Sequence, residues 1–379
     1  MREIRIFYDN SNYTLTWLRR LIFAEKEFKK AGYKIKFDSS YAYDLTKKRP
    51  LKTPSTLEGF VKLFSKSKYD VVFLAYHHSK TGLCSLSPDD RAKVLNYLKK
   101  KTDLLVWLDT ADGAGTCMFD VMPYVDKYLK KQILVDRERY LRPIWSDRRF
   151  GEYYHEKFGV EETGKQENIE YPLLDEKYID KLGISWNVGI GDLYTVGKWR
   201  AVCRKRHKKV NFFAPKKDNK YDIQYRGGQY PGAIGFQRKH FKELLSKRND
   251  LKMPDFNTRV PYDEFVEEVK ASTALLSPFG WGEICGRDFE TFAFGDLLIK
   301  PDMSHLETYP NLYIENKTYI PVKWDFSDFN EILDRLISEE GKEQAYAVSV
   351  EAQKLYREAY SSEKADKDFV NHIISQIER

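Results

Sequence analysis

The feature that most constrains this chain is its rhythm, in which short apolar runs alternate with amphipathic stretches along most of its length. Joining one parallel strand to the next takes a crossover about the length of a helix, so this alternation predicts parallel sheets covered on both faces. Ile4 to Tyr8, Tyr33 to Phe37, Asp70 to Tyr76 and Leu104 to Leu108 read as strands. Between them, Leu15 to Ala31 and Leu57 to Ser65 read as helices, and a third opens at Ser87. Ser87 suits an N-cap and Pro88 the first helical position, where a missing N–H costs nothing. A further strand is expected near Gln132 to Val135, which completes one α/β unit.

Residues 145–208 mix glycine, tyrosine and charges, and read as a last segment of that unit followed by a linker. A second unit begins at Lys209 to Ala214. It continues with helices at Arg238 to Lys247 and Tyr262 to Ser272, the strand Ala274 to Ser277, the helix Asp288 to Phe294 and the strand Leu297 to Lys300. Two amphipathic helices close the chain, at 325–338 and 342–378, with a break near Ser361 and Ser362. The expected fold is therefore α/β, with two Rossmann-like domains facing a cleft. The first spans 1–205 and the second 206–354.

Composition narrows the class. At 379 residues the chain is long enough for two cores, and 42% hydrophobic with 32% charged residues is a globular profile. A net charge of +7 over this length, with Lys and Arg dispersed, fits an acidic small molecule or loose contact with an anionic membrane face. It is too weak and too scattered for a dedicated nucleic-acid binder. The runs Lys99 to Lys101 and Arg204 to Lys209 read as solvated helix ends and linkers. Cys84, Cys117, Cys203 and Cys285 have neither metal-ligand nor redox-motif spacing and read as reduced thiols. Met1 to Asp9 is a charged strand, not a signal peptide, and no run approaches the length of a membrane span. A cytoplasmic location is expected, with room for peripheral contact with a membrane.

The chemistry is expected in the segment Ser277 to Glu290, followed by Thr291 to Pro301. It reads as a strand, a loop with Gly280, Trp281 and Gly282, a short helix, a stop at Gly295 and another strand. Glycines let backbone N–H groups approach a ligand, and the helix N-terminus behind them favours an anion. Arg287 lies on the first turn, suited to two phosphate oxygens. Glu290, three residues on, shares its face and can accept bonds from both hydroxyls of a ribose.

This segment resembles the donor site of GT-B glycosyltransferases, of the exostosin-like and group 1 types. Glu290 and Gly295 match their Glu-to-Gly spacing, and Gly280, Gly282 and Arg287 match the exostosin-like version. The resemblance covers about 209–340. It implies a GT-B architecture in which the C-terminal helix, about 355–379, crosses back to join residues 1–205 in the first domain. It also implies a nucleotide-sugar donor, a glycan or glycolipid acceptor and no metal or other cofactor, in surface polysaccharide or glycan synthesis. Many group 1 enzymes carry a second Glu eight residues before the ribose-binding one; here that position is Gly282 and Glu283 is out of register, which points to an inverting enzyme. Arg226 and Arg238 flank the loop expected to face the donor diphosphate. Tyr262 opens a helix whose start commonly contacts the base.

Ligands of open α/β sheets bind beyond the carboxyl ends of the strands. In the first domain those ends carry Tyr76-His77-His78 and Asp109-Thr110-Ala111-Asp112. An inverting transferase needs a base for the acceptor hydroxyl. Asp109 and Asp112 are the first candidates and His78 the next, while His77 reads as strand-end packing and loop capping is the competing role for Asp112. The same architecture also serves sugar-nucleotide epimerases and glycan phosphorylases. A non-catalytic carbohydrate- or nucleic-acid-binding protein is the remaining alternative.

Overall fold

The computed structural model describes residues 1–9, 12–39, 43–44, 49–50, 54–77, 82–163, 171–191, 211–362 and 364–378. In the first part of the chain run β1 (Arg2–Tyr8), α1 (Asn12–Phe23), α2 (Glu25–Lys30), β2 (Tyr33–Ser39), β3 (Tyr43–Asp44), β4 (Arg49–Pro50) and α3 (Leu57–Leu63). There follow β5 (Tyr69–Ala75), α4 (Pro88–Lys99), β6 (Thr102–Asp109), β7 (Lys127–Lys130), β8 (Gln132–Leu134), α5 (Arg149–Phe158) and β9 (Leu182–Ile184). The second part holds β10 (Tyr221–Gln224), α6 (Gly232–Ser246), α7 (Tyr262–Lys270), β11 (Ser272–Leu276), α8 (Gly286–Phe294) and β12 (Leu297–Pro301). It continues with β13 (Leu306–Thr308), β14 (Ile320–Val322), α9 (Phe329–Ile337), α10 (Glu339–Ser361) and α11 (Ala365–Ile377).

Two parallel sheets organise the molecule. The first is six-stranded, in the order β2-β1-β5-β6-β7-β9. The second is four-stranded, in the order β10-β11-β12-β14, with parallel pairing throughout. Val71, Val72, Phe73 and Leu74 of β5 are all fully buried, as a central strand covered on both faces requires. Ser87 caps α4 by accepting the Asp90 N–H, with Pro88 next to it. The architecture is the expected one of two Rossmann-like domains.

The last helix crosses between them. α10 packs on the second domain, where Gln353 Nε2 donates to Phe213 O at 2.7 Å. The chain then breaks at Ser362, and α11 lies on the first domain. There Asp366 pairs with the buried Arg20 at 2.7 Å, and Phe369 meets Phe28 and Trp186 edge-on.

Three local features differ from expectation. The strand joining the first sheet after β6 is β7, because Tyr128, Leu129 and Lys130 are buried beside β6. The expected strand at Gln132 instead forms β8, which leaves the sheet and pairs antiparallel with β13 of the other domain. The first strand of the second sheet is β10; of the expected opening at Lys209 to Ala214, residues 209 and 210 lie outside the described residues and 211–214 carry no strand. Finally, α5 packs on the second domain rather than the first. Its stripe of Phe150, Tyr154 and Phe158 recurs every fourth residue and faces that domain. Phe150 meets Phe279 at 4.9 Å, Tyr154 stacks on Phe326 at 5.8 Å, and Gln237 Nε2 donates to the Tyr154 hydroxyl at 2.7 Å.

Candidate active site

The carboxyl ends of the two sheets face each other, and their loops meet. On the second domain, the loop after β11 runs from Ser277 to Cys285 and delivers the chain into α8. Asp288 fixes this turn from below. Its carboxylate accepts from the Cys285 N–H (3.1 Å), the Ser277 hydroxyl (2.6 Å) and the Tyr313 hydroxyl (2.8 Å), and pairs with Lys300 at 3.2 Å. Asp288 and Lys300 are both fully buried, so each charge depends on the other and on these hydrogen bonds.

Above this base lie the predicted donor residues. Arg287 is half-buried on the first turn of α8, and its guanidinium makes no hydrogen bond or ion pair among the described residues. Glu290, one turn on, accepts a hydrogen bond from the Tyr262 hydroxyl at 3.0 Å. Burial pushes the Glu290 carboxyl up, against the pull of the Tyr262 hydroxyl and Arg287. The Tyr262 phenol is raised by burial and by Glu290. Arg238, on α6, lies over the Tyr230 ring at 4.4 Å, with Nη1 donating to Gly228 O at 3.4 Å, Nε unpartnered among the described residues and Nη2 close beside Gly280. Trp281 is largely exposed, and the Gly280 N–H donates to Gly282 O at 3.0 Å, which tightens the loop.

Arg226 does not join them. Its guanidinium grips Glu268 of α7, with Nε donating at 2.7 Å, and reaches the Thr258 carbonyl. A guanidinium committed to a carboxylate on two sides holds β10 to α7 and is not available for a diphosphate.

On the first domain, Asp109 ends β6 and is 2% exposed. It accepts from the Ala111 N–H at 2.7 Å and from the Tyr128 hydroxyl, and it pairs with the buried Lys130 at 3.0 Å. Burial opposes its ionisation, but Lys130 and the Tyr128 hydroxyl outweigh that and hold the carboxyl below its usual range. Enclosed and saturated in this way, it orders the loop and offers an acceptor hydroxyl no open oxygen, which departs from the expected role of base. Asp112 differs, with a side chain 39% exposed and an ion pair to Lys131 at 3.1 Å. His77 follows β5, and its N–H donates to Asp9 at the end of β1. Its imidazole feels burial, which lowers its pKa, and the nearby Asp9 and Asp112. His78 lies outside the described residues, as do Cys203 and the basic run at 204–209.

Three residues without a motif connect the two halves. Arg148 precedes α5 and is almost fully buried; its Nε donates to Trp281 O at 3.1 Å and its Nη1 to Asp147 Oδ1 at 2.8 Å. Ser146 and Asp147 before it both adopt positive φ (59° and 54°), a backbone rarely held by residues other than glycine. Asp147 accepts from the Thr116 hydroxyl of the first-domain loop. Glu283 inserts from the 277–285 loop into that same loop. Nothing in the sequence marks Arg148, which sits in the irregular stretch after 145, whereas Glu283 is conspicuous as the carboxylate beside Gly282.

Among the described residues, no group of three or more His, Cys, Asp or Glu is placed to hold a metal ion, and no helix is long and apolar enough to cross a membrane.

No family model matches the chain, and no curated protein does. Among solved structures it is similar to a glycosyltransferase from Rickettsia africae ESF-5, at 12% identity over 100% of this chain and 99% of that one, with a TM-score of 0.46. It is similar to an alpha-glucosyltransferase in complex with UDP, at 11% identity over 99% and 100%, with a TM-score of 0.45. A sucrose-phosphate synthase from Thermosynechococcus elongatus is similar at 11% identity over 99% of each chain, with a TM-score of 0.47.

Proposed function

We propose that this chain is a glycosyltransferase that moves a sugar from a nucleotide-sugar donor to a hydroxyl of a glycan or glycolipid acceptor. The observation that carries the reading is the cationic Arg287, unpaired among the described residues on the first turn of α8, one turn from a Glu290 already bonded to Tyr262. A nucleoside diphosphate fits that arrangement group by group. Its diphosphate takes the α8 N-terminus, Arg287 and Arg238, its ribose takes Glu290, and its base lies along the half-exposed Tyr262. Negative charge on the diphosphate grows as it departs, so Arg287 favours the transition state over the ground state. These cations supply the charge in a reading without a metal.

In the inverting course proposed here, the acceptor hydroxyl attacks the anomeric carbon from the face opposite the departing diphosphate. Asp112 receives its proton, as the more open of the two carboxylates, with His77 beside it. Asp109 positions the loop on which Asp112 stands. The proposed setting is cytoplasmic glycan synthesis, with the acceptor reached in solution or at a membrane face.

The test is a panel of sugar nucleotides incubated with the protein, with and without oligosaccharide acceptors, read by released nucleoside diphosphate and by the anomeric configuration of the product. Transfer or slow donor hydrolysis with an inverted anomeric centre is expected. Epimer interconversion without an acceptor would instead make the chain an epimerase, and no turnover or binding of any sugar nucleotide would remove the transferase reading.

A further inference from the structure

Glu283 is fully buried although it carries a carboxylate and stands on a loop. Its Oε2 accepts two hydrogen bonds, both from the other domain: the Ala114 N–H at 3.1 Å and Gln132 Nε2 at 2.6 Å. Gln132 Nε2 also donates to the Asp112 carbonyl at 2.7 Å, so one amide spans both loops. Oε1 meets no hydrogen-bond donor among the described residues. Beside it, the Asp112 carbonyl lies so close to Gly282 that a Cβ there would overlap it. Burial pushes the Glu283 carboxyl up, while its hydrogen bonds, Arg148 and Lys130 pull the other way. A carboxylate is costly to bury, and one that satisfies a buried N–H across an interface ties the two sides together strongly.

We propose that Glu283 is a positioning residue that locks the donor-side loop of the second domain to the Asp109–Cys117 loop of the first, so that donor and acceptor sites are set in register by one carboxylate. This rests on the reading of the 277–285 loop as the donor loop. The tie has a direct consequence for Asp112, the proposed base. Its backbone carbonyl is held by Gln132 and packed on Gly282, so the placement of its side chain depends on the same tie. Glu283 acts through these neighbours and is not itself a group that touches the reacting atoms.

The geometry separates a tie from a charge effect. In E283Q the amide oxygen can take the place of Oε2 and keep both hydrogen bonds, with its NH2 in the place of the unpartnered Oε1. In E283A both bonds are lost and the Ala114 N–H is left without its acceptor. Amide hydrogen exchange on the intact protein reads the tie without any substrate. E283A is expected to speed exchange at Ala114 roughly tenfold or more, while E283Q stays within about threefold of wild type. Steady-state kinetics read the consequence. E283A is expected to raise the donor KM roughly ten- to hundredfold and to lower kcat as well, with E283Q recovering most of both.

Q132L is expected to weaken the donor KM on its own and to add little on top of E283A, because the two residues share one interaction. Should E283A fold poorly, Q132L and E283Q carry the comparison. Unchanged exchange at Ala114 in E283A overturns the tie whether or not a donor binds, and so does a donor KM in Q132L equal to that of wild type. An E283Q protein as impaired as E283A overturns it too, because charge rather than hydrogen bonding would then be what Glu283 supplies.

Discussion

Asp296 stands directly behind the Gly295 turn, 5% exposed, with Oδ2 unpartnered among the described residues and Lys216 as the cation that acts on it. Burial raises its carboxyl well above the ordinary carboxylate range. The sign of the effect on stability follows from linkage. Below the unfolded value, about 4, both states hold the proton and the residue is neutral in effect. As pH rises past it, the unfolded chain releases the proton while the folded chain keeps it, so stability falls until the folded value is passed. Asp296→Asn is therefore expected to stabilise the protein at neutral pH by about 1–3 kcal/mol, the cost of a poorly satisfied buried acid. Thermal melts at pH 7 and below pH 4 check this: the gain should vanish at the acid end. Partners of this kind also decide what the sequence could disclose. Arg226 and Arg287 both stand next to glycine, yet Arg226 is claimed by Glu268, 42 residues away. Asp109 is claimed by Lys130 and Tyr128 on the next strand. The spacing of Arg287, Glu290 and Gly295 is local to one helix and could be read, whereas a partner brought in by a neighbouring element could not. Arg226→Ala is accordingly expected to lower the melting temperature, at a cost of about 3 kcal/mol from the stranded Glu268, with little change in nucleotide affinity.

The helix α8 depends on the group beneath it. Asp288 reciprocally caps Cys285 and neutralises Lys300, and no solvent reaches either charge. Asp288→Ala leaves a buried ammonium unpaired and the turn uncapped, and should cost about 3–5 kcal/mol in denaturant unfolding. Lys300→Met in the same background should recover part of that loss, since it removes the stranded charge. Gly295 ends the helix at φ 83°, and a Cβ there would lie 2.7 Å from the Phe213 carbonyl oxygen, so even alanine would need the chain to shift. Elements with a complete local signature were legible on these terms: the Ser87-Pro88 cap, the Gly295 stop and the apolar run of β5. β10 was not, because Tyr-Asp-Ile-Gln offers four residues with only two apolar among them and draws its place from the parallel pairing with β11. β7 and β8 are separated by one residue, and only tertiary pairing decides which joins the sheet.

At the scale of the molecule, the C-terminal crossover ties the two domains together. α11 covers Phe28 and Trp186 through Phe369 and supplies Asp366 to the buried Arg20. Phe369→Ala is expected to cost about 3–5 kcal/mol, with the largest rise in hydrogen exchange in α1, α2 and β9 rather than in the second domain. The break at Ser361-Ser362 and the amphipathic stretch after it were readable in the sequence, but that this stretch crosses back was implied only by the resemblance. The exchange of α5 to the other domain was not, because a helix's apolar stripe shows that it is buried and not against which neighbour. The central claim is that the α8 N-terminus, with Arg287 and Glu290, holds a nucleoside diphosphate. Isothermal titration of the intact protein with free nucleoside diphosphates tests it most directly. The account predicts saturable binding that Glu290→Ala and Arg287→Ala each weaken by about 1.5–3 kcal/mol, the usual loss for a charged hydrogen-bond partner. Undiminished binding by a correctly folded Glu290→Ala protein would contradict it.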